Sequence, residues 1–395
     1  MDFERHIRFV QYPLSLIGLW PENSPYTTVK FFVSVVLNVI GAIVNGRTLF
    51  FTGNNTDFMA NMSYSLSFTL IIIKMYIMKK NIGAQMMMIT WMDQNWECYK
   101  YLSKKSRNAM YKQTLKSTQM IIIVNVMIGF TLVSLLFGPV VEAFIKNTSI
   151  EKISKEGWFS FPVETTFSIA MLFLIRALSS TCGAIIWSGV DCWMILIVLH
   201  ICGQMSILCN VIKDYKEFTK HTDNKFMNNG IQLHQCNCLT CIVDRHNSIF
   251  EICVTVENYI NSIIFMKLIV QSAQICTVGI LIIRNKTNIM SMVATNLGYF
   301  TAVIWTTFIY GWLGEQLTQH GYAIGDAIYS NNWYEYHQRK LRQTLSIIIC
   351  RAQRPIRITA GKYFSMSLNS VTQHHRPTEW DTEISIQTTK CKVTI

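Results

Sequence analysis

A helix needs about 20 consecutive, mostly apolar residues to cross the roughly 30 Å hydrocarbon core of a bilayer. Six stretches of this sequence supply them: 29–52, 58–78, 119–141, 168–203, 258–283 and 290–314. In lipid every backbone N–H and C=O must be satisfied within the segment, so such runs fold as helices. The expected fold is therefore an all-α integral membrane protein, a bundle of six clear transmembrane helices. The fourth run is longer than a bilayer needs, so its outer part should project or the helix should kink. Only 15% of the residues are charged, against roughly 25% in an average soluble domain. The formal net charge of +12 does not require nucleic acid, because no basic run is interleaved with aromatics as a stacking site would be.

Basic flanks orient the spans. With the N-terminus inside, the cytoplasmic pieces 1–30, 79–118, 204–257 and 315–362 hold 23 Lys and Arg, and the outside pieces hold 5. Each outside piece also carries an Asn-x-Ser/Thr glycosylation acceptor, at Asn54, Asn147 and Asn285. None of the 12 cysteines falls outside, so no disulfide framework is indicated. The opening residues, with Asp2, Glu4 and Pro13 and no small-residue cleavage site, do not read as a signal peptide.

Several function classes are disfavoured. A receptor coupled to G proteins keeps its N-terminus outside, and its Asp-Arg-Tyr-like motif ends the third span. Here Asp244-Arg245-His246 follows the fourth, and no Asn-Pro pair exists. Gly-x-Ser-x-Gly, His-Glu-x-x-His and phosphate-loop motifs are absent, so an enzyme is not expected. The cluster His234, Cys236, Cys238 and Cys241 has ligands soft enough for zinc. Its spacing is tighter than usual, and ordinary cytoplasmic or acylated thiols are the preferred reading. No metal or cofactor is expected.

Inside the spans, Asp191, Arg176 and Lys267 are expected to face a cavity or one another, with Asp191 pairing Lys267. Arg47 and Lys74 are expected to snorkel from span ends.

Residues 327–350 have apolar positions near helical spacing and a wet face of Arg339, Lys340 and Arg342. They predict one amphipathic helix outside the bilayer. Its large apolar groups, Tyr329, Trp333, Tyr336, Leu341, Leu345 and Ile348, need a partner surface. Pro355 restrains Arg354 and should end that helix. Gly361 then permits a turn into the membrane, so Arg354, Pro355 and Gly361 read as a hinge.

The stretches AIYSNNWYEY (327–336) and CRAQRPIRITAGKYFSMSL (350–368) resemble the insect odorant receptor family. GLWP (18–21), DCWMILIVLHICGQMSIL (191–208) and VDRHNSIFEICVTVENYINSIIFMKLIVQSAQIC (243–276) extend the resemblance over nearly the whole chain to Leu368. It implies a ligand-gated cation channel subunit, forming a heterotetramer with the shared olfactory co-receptor in the plasma membrane of olfactory sensory neurons. The cytoplasmic anchor would join subunits, and the second half of helix seven would line the pore. The odorant pocket would lie in the outer halves of helices two to six. Chemistry and depth there select Tyr64, Phe68, Ser134, Phe137, Phe167, Met171, Met292, Asn296 and Tyr299 as ligand-binding candidates. The alternatives are a gustatory-type receptor channel, whose last-helix signature is absent, and an unrelated six-span transporter, of which no internal repeat gives a sign.

The expected organisation is a cytoplasmic segment 1–28, spans and pocket over 29–314, anchor and hinge over 315–362, the start of helix seven at 363–371, and a polar tail at 372–395. The family continues that last helix for about 20 apolar residues. Residues 363–371 would reach only about 14 Å, and His374, Arg376, Pro377, Glu379 and Asp381 follow. Charges at the bilayer centre cost roughly 2.5–3.5 kcal/mol each, so the tail is expected to stay cytoplasmic and disordered, with an incomplete pore helix.

Overall fold

The computed structural model describes residues 3–22, 24–51, 55–99, 101–145, 166–216, 225–228, 231–234, 237–284, 289–354 and 357–368. They form an all-α bundle. Helix α1 is Phe3–Leu16, α2 Tyr26–Phe51, α3 Asn55–Lys80, α4 Ile82–Tyr99 and α5 Lys104–Ile145. Then come α6 Thr166–Lys213, α7 Leu239–Arg284, α8 Ile289–Tyr329 and α9 Arg339–Ala352. Two small antiparallel hairpins complete the described residues, β1 Lys225–Asn228 with β2 Ile231–His234, and β3 Thr359–Ala360 with β4 Phe364–Ser365.

Each apolar run lies within one of α2, α3, α5, α6, α7 and α8, apart from Thr52, which falls outside the described residues. Among the described residues, Tyr26–Val44, Lys104–Phe137, Ala170–Lys213 and Leu239–Thr277 are long and apolar enough to cross a membrane. Helices α5 to α8 run to 42, 48, 46 and 41 residues, far beyond what a bilayer needs. Most of the excess falls at the ends that the charge rule assigns to the cytoplasm. The fourth span runs as one continuous helix.

Helix α6 is the axis of the bundle. Residues 188–205 are all buried, as expected for a helix that is apolar on every side. Helices α5 and α8 pack along it, and α1 lies across it with Leu14 against Gly189. The GLWP stretch closes α1. Gly18 adopts φ +71°, while Leu19 N–H donates to Leu14 O at 2.8 Å and Gly18 N–H to Ser15 O at 3.3 Å. That is a Schellman end, which satisfies the carbonyls of the last turn. It seats Trp20 edge-on to Trp193, with ring centroids 5.9 Å apart.

The anchor departs from the single helix expected over 327–350. Helix α8 stops at Tyr329, Asn332 takes a left-handed φ of 46°, and Trp333–Glu335 forms one 3-10 turn before α9 begins. The joint has a positive cause. Asn331 Nδ2 donates to Ile212 O at 2.7 Å and Tyr215 O at 3.3 Å, tying the joint to the chain at and just beyond the end of α6. Beyond it, Leu341, Leu345, Ile348 and Ala352 form the buried stripe of α9. Trp333 and Tyr336 are partly buried, and Tyr329 stays 70% exposed.

The start of helix seven also differs from expectation. Gly361 and Lys362 both have positive φ, 60° and 68°, and residues 359–365 turn back as the β3–β4 hairpin. Thr359 N–H donates to Glu257 Oε2 at 2.9 Å, Gly361 N–H to Asn261 O at 3.0 Å and Met366 N–H to Ile358 O at 2.8 Å. These bonds hold the segment against α7 and outcompete a helix of few residues, which is marginal by itself. A Cβ on Gly314 would lie 2.1 Å from Met366 O, so only glycine lets α8 meet the hairpin this closely. Arg354 is exposed just past α9. Pro355 and residues 369–395 lie outside the described residues, as do Asn54, Asn147 and Asn285.

Candidate functional site

Four helices line a cavity of about 120 Å³. Helix α3 lines it with Tyr64, Ser67, Phe68 and Ile71, α5 with Ile128, Thr131, Leu132 and Leu135, and α6 with Ser180, Gly183, Ala184 and Trp187. Each set follows i, i+3, i+4, i+7, the spacing of one helix face. Ala302, Val303 and Thr306 of α8 close the fourth side. The small residues on α6 make the room. A Cβ on Gly183 would come within 3.0 Å of Ile71 Cδ1.

The walls are apolar with a few oriented hydroxyls. Behind them α7 supplies two glutamines. Gln271 Nε2 donates to Thr306 Oγ1 at 3.0 Å, and Gln274 Nε2 donates to Ser67 Oγ at 2.8 Å. Thr307 Oγ1 returns a bond to Gln271 Oε1 at 2.7 Å. The polar groups of the wall are thus largely tied to the scaffold, which fixes the cavity's shape.

On the inner side lies a buried charge cluster. Asp191 of α6 accepts from Lys74 Nζ of α3 at 2.8 Å, from Lys267 Nζ of α7 at 2.9 Å and from the Tyr310 hydroxyl of α8 at 2.7 Å. The expected Asp191–Lys267 contact is present. Lys74 corrects the reading that it snorkels: it is fully buried, because the buried Asp191 carboxylate offers its ammonium an ion pair at 2.8 Å inside the bundle. Trp187 belongs to both features. It lines the cavity, and Lys74 Nζ sits 4.5 Å from its ring centroid. Arg176 is also buried, 5.7 Å from the ring of Tyr64.

Of the candidates chosen from sequence, Tyr64 and Phe68 line the cavity. Ser134 and Phe137 lie on α5 outside its lining, with Phe137 54% exposed. Phe167 and Met171 lie near the start of α6 and are exposed. Met292, Asn296 and Tyr299 belong to α8, and their side chains lie outside the described residues. The lining residues of α6 sit deeper by about 20 Å, the rise from 167 to 180. The missed signal was the small-residue face Ser180, Gly183, Ala184 in a span otherwise rich in large side chains. Among the described residues no three His, Cys, Asp or Glu side chains gather as metal ligands.

A family model described as 7tm odorant receptor matches residues 54–376. Odorant receptor 13a of Drosophila melanogaster is 23% identical over 254 residues, 61% of this chain and 57% of that protein. Odorant receptor 22c of the same fly is 24% identical over 202 residues, 50% and 48% of the two chains. The chain thus spans about half the length of these curated relatives. The insect olfactory receptor OR5 from Machilis hrabei in complex with eugenol superposes with a TM-score of 0.75. That match has 14% identity and covers 94% of this chain and 93% of that one. A second structure of OR5 gives 0.68 at the same coverage. At this identity the likeness shows the fold alone.

Proposed function

The chain belongs to the 7tm odorant receptor family, and from that premise we propose that it is the odorant-binding subunit of a ligand-gated, non-selective cation channel. In this reading it assembles as a heterotetramer with the shared olfactory co-receptor, in the plasma membrane of olfactory sensory neurons. Its ligand is a small, volatile, largely apolar molecule. The observation that carries the reading is the cavity faced by three helices at i, i+3, i+4, i+7 spacing. Such a concave, mostly apolar space with few polar groups is what a small ligand requires. An apolar cavity of about 150 Å³ holds benzene, so the volume here suits a ligand of about one ring.

The inner overhangs, the 330–338 joint and α9 serve as the subunit anchor, with Tyr329, Trp333, Tyr336, Leu341, Leu345 and Ile348 as its apolar groups. Exposed Tyr329 is the member of that set best placed to meet a neighbouring subunit. Arg354, Pro355 and Gly361 act as the hinge, and Asn54, Asn147 and Asn285 carry glycans. Helical backbone begins only at Leu368, and Arg376, Pro377, Glu379 and Asp381 follow in the sequence. The chain therefore contributes no complete pore segment and does not conduct in the normal way.

The test is whole-cell recording from cells expressing this chain with the co-receptor, under an odorant panel. Surface delivery with little or no odorant-evoked current is expected, and current of ordinary size for the family overturns the non-conducting reading. Direct odorant binding to the purified chain should persist, and Ala184→Phe, which fills the cavity, should abolish it.

A further inference from the structure

The cavity wall carries four Ser or Thr hydroxyls, and three are already committed. Ser67, Thr131 and Thr306 donate to the carbonyls of Ser63, Met127 and Val303 at 3.1, 2.9 and 3.1 Å. Ser180 differs. A serine in a membrane helix ordinarily donates to the carbonyl four residues back, which here is Arg176 O. The neighbouring Ser179 Oγ takes that carbonyl at 3.1 Å. Among the described residues, no group donates to or accepts from Ser180 Oγ, although Ser180 is only 7% exposed. The residue lines the cavity, so its hydroxyl is free to donate to a group placed there.

A second observation concerns charge. The Lys74–Asp191–Lys267 cluster sets two ammonium groups against one carboxylate. Both ammonium groups lie against the ring of Trp187, at 4.5 and 5.8 Å from its centroid. Across the cavity Tyr64 has the Arg176 guanidinium beside its ring. No Asp or Glu lines the space. The surplus positive charge favours the negative end of a ligand dipole and repels a cation.

We infer that the cavity selects an uncharged, ring-sized ligand with a single hydrogen-bond-accepting oxygen, that Ser180 donates to this oxygen, and that amines are excluded. The inference rests on the reading of the cavity as the ligand site. It makes Ser180 the specificity-determining residue and the lysine pair the electrostatic filter.

The test uses the purified full chain in nanodiscs with three matched probes: styrene, benzaldehyde and benzylamine. Styrene and benzaldehyde share a ring and a planar substituent, and only benzaldehyde offers an acceptor oxygen. Ser180→Ala should weaken benzaldehyde roughly three- to tenfold, the span of one net hydrogen bond, and leave styrene within about twofold. Benzylamine, protonated at neutral pH, should bind far more weakly than benzaldehyde. Lys267→Met, which removes the surplus charge, should narrow that gap by about fivefold or more. If styrene binds and benzaldehyde is insensitive to Ser180→Ala, the inference falls while the cavity reading stands. An amine gap unchanged in Lys267→Met overturns the filter. If neither styrene nor benzaldehyde binds, the cavity reading itself fails and takes the inference with it.

Discussion

At the scale of single residues, Asp191 carries the heaviest duty. It is the one carboxylate that faces Lys74, Lys267 and Tyr310, and each partner comes from a different helix. Removing one partner of a buried ion pair leaves an uncompensated charge, which costs about 3–5 kcal/mol. Asp191→Asn should therefore lower the thermal midpoint of the purified chain sharply and reduce its surface delivery. Lys267→Met should be far milder, because the remaining Lys74–Asp191 pair is balanced. Equal losses in the two variants would count against the cluster as a structural keystone. The existence of a buried Asp–Lys contact was legible from sequence, since ionisable groups in spans seek one another. Its third member was not, because Lys74 lies six residues from the end of α3 and its reach to either the headgroups or the core looks the same in sequence.

At the scale of elements, the six spans were readable because length and apolarity alone define them. Which face of each span looks inward was not. Lipid-facing and cavity-facing positions are both apolar, so hydropathy carries no direction there. The joint after α8 escaped for another reason. Its apolar residues continue at helical spacing, and what breaks the helix is Asn331 bonding to a different helix end, a tertiary cause. Asn331→Ala should remove the two bonds that tie the joint to the end of α6 and cost about 0.5–1.5 kcal/mol for each net bond lost, read as a lower melting midpoint and easier proteolysis near Tyr336.

A second prediction at this scale concerns His320, on the inner extension of α8. Burial depresses its pKa, a bond from its ring to the Gln316 carbonyl raises it, and the nearby Lys116 charge lowers it further. The net shift is downward. The folded state thus holds it neutral, with Gln113 Nε2 2.9 Å from its Nε2. The unfolded chain takes up the proton first, near pH 6.5, so its stabilising contribution is complete above that pH and is lost as pH falls through the depressed folded value. Stability measured between pH 7.5 and 5.5 should decline, and His320→Gln should flatten the part of that decline due to this residue.

At the scale of the whole molecule, the bundle divides along its length. The cavity lies among α3, α5, α6 and α8, while the long overhangs gather at the opposite end with the joint and α9. In the proposed six-span reading, with basic flanks inside, both termini lie on one side. A glycosylation-acceptor tag placed after Ile395, with the Asn-x-Ser/Thr sites at Asn54, Asn61, Asn147 and Asn285 removed, should gain no glycan and should be reachable only after permeabilisation. A glycosylated tag would mean that the chain crosses once more after the hairpin.

Helix α6 passes from the cavity, through Asp191, to the joint without a break. From Asp191 to Lys213 is 22 residues, about 33 Å of rod. A tilt of about one degree at that pivot moves the inner end by roughly 0.6 Å, on the estimate from helical rise. The carbonyls that Asn331 holds sit at that end, so in the proposed reading of cavity and anchor a ligand that rotates Ser180 and Trp187 slightly would act on the anchor with a long mechanical arm.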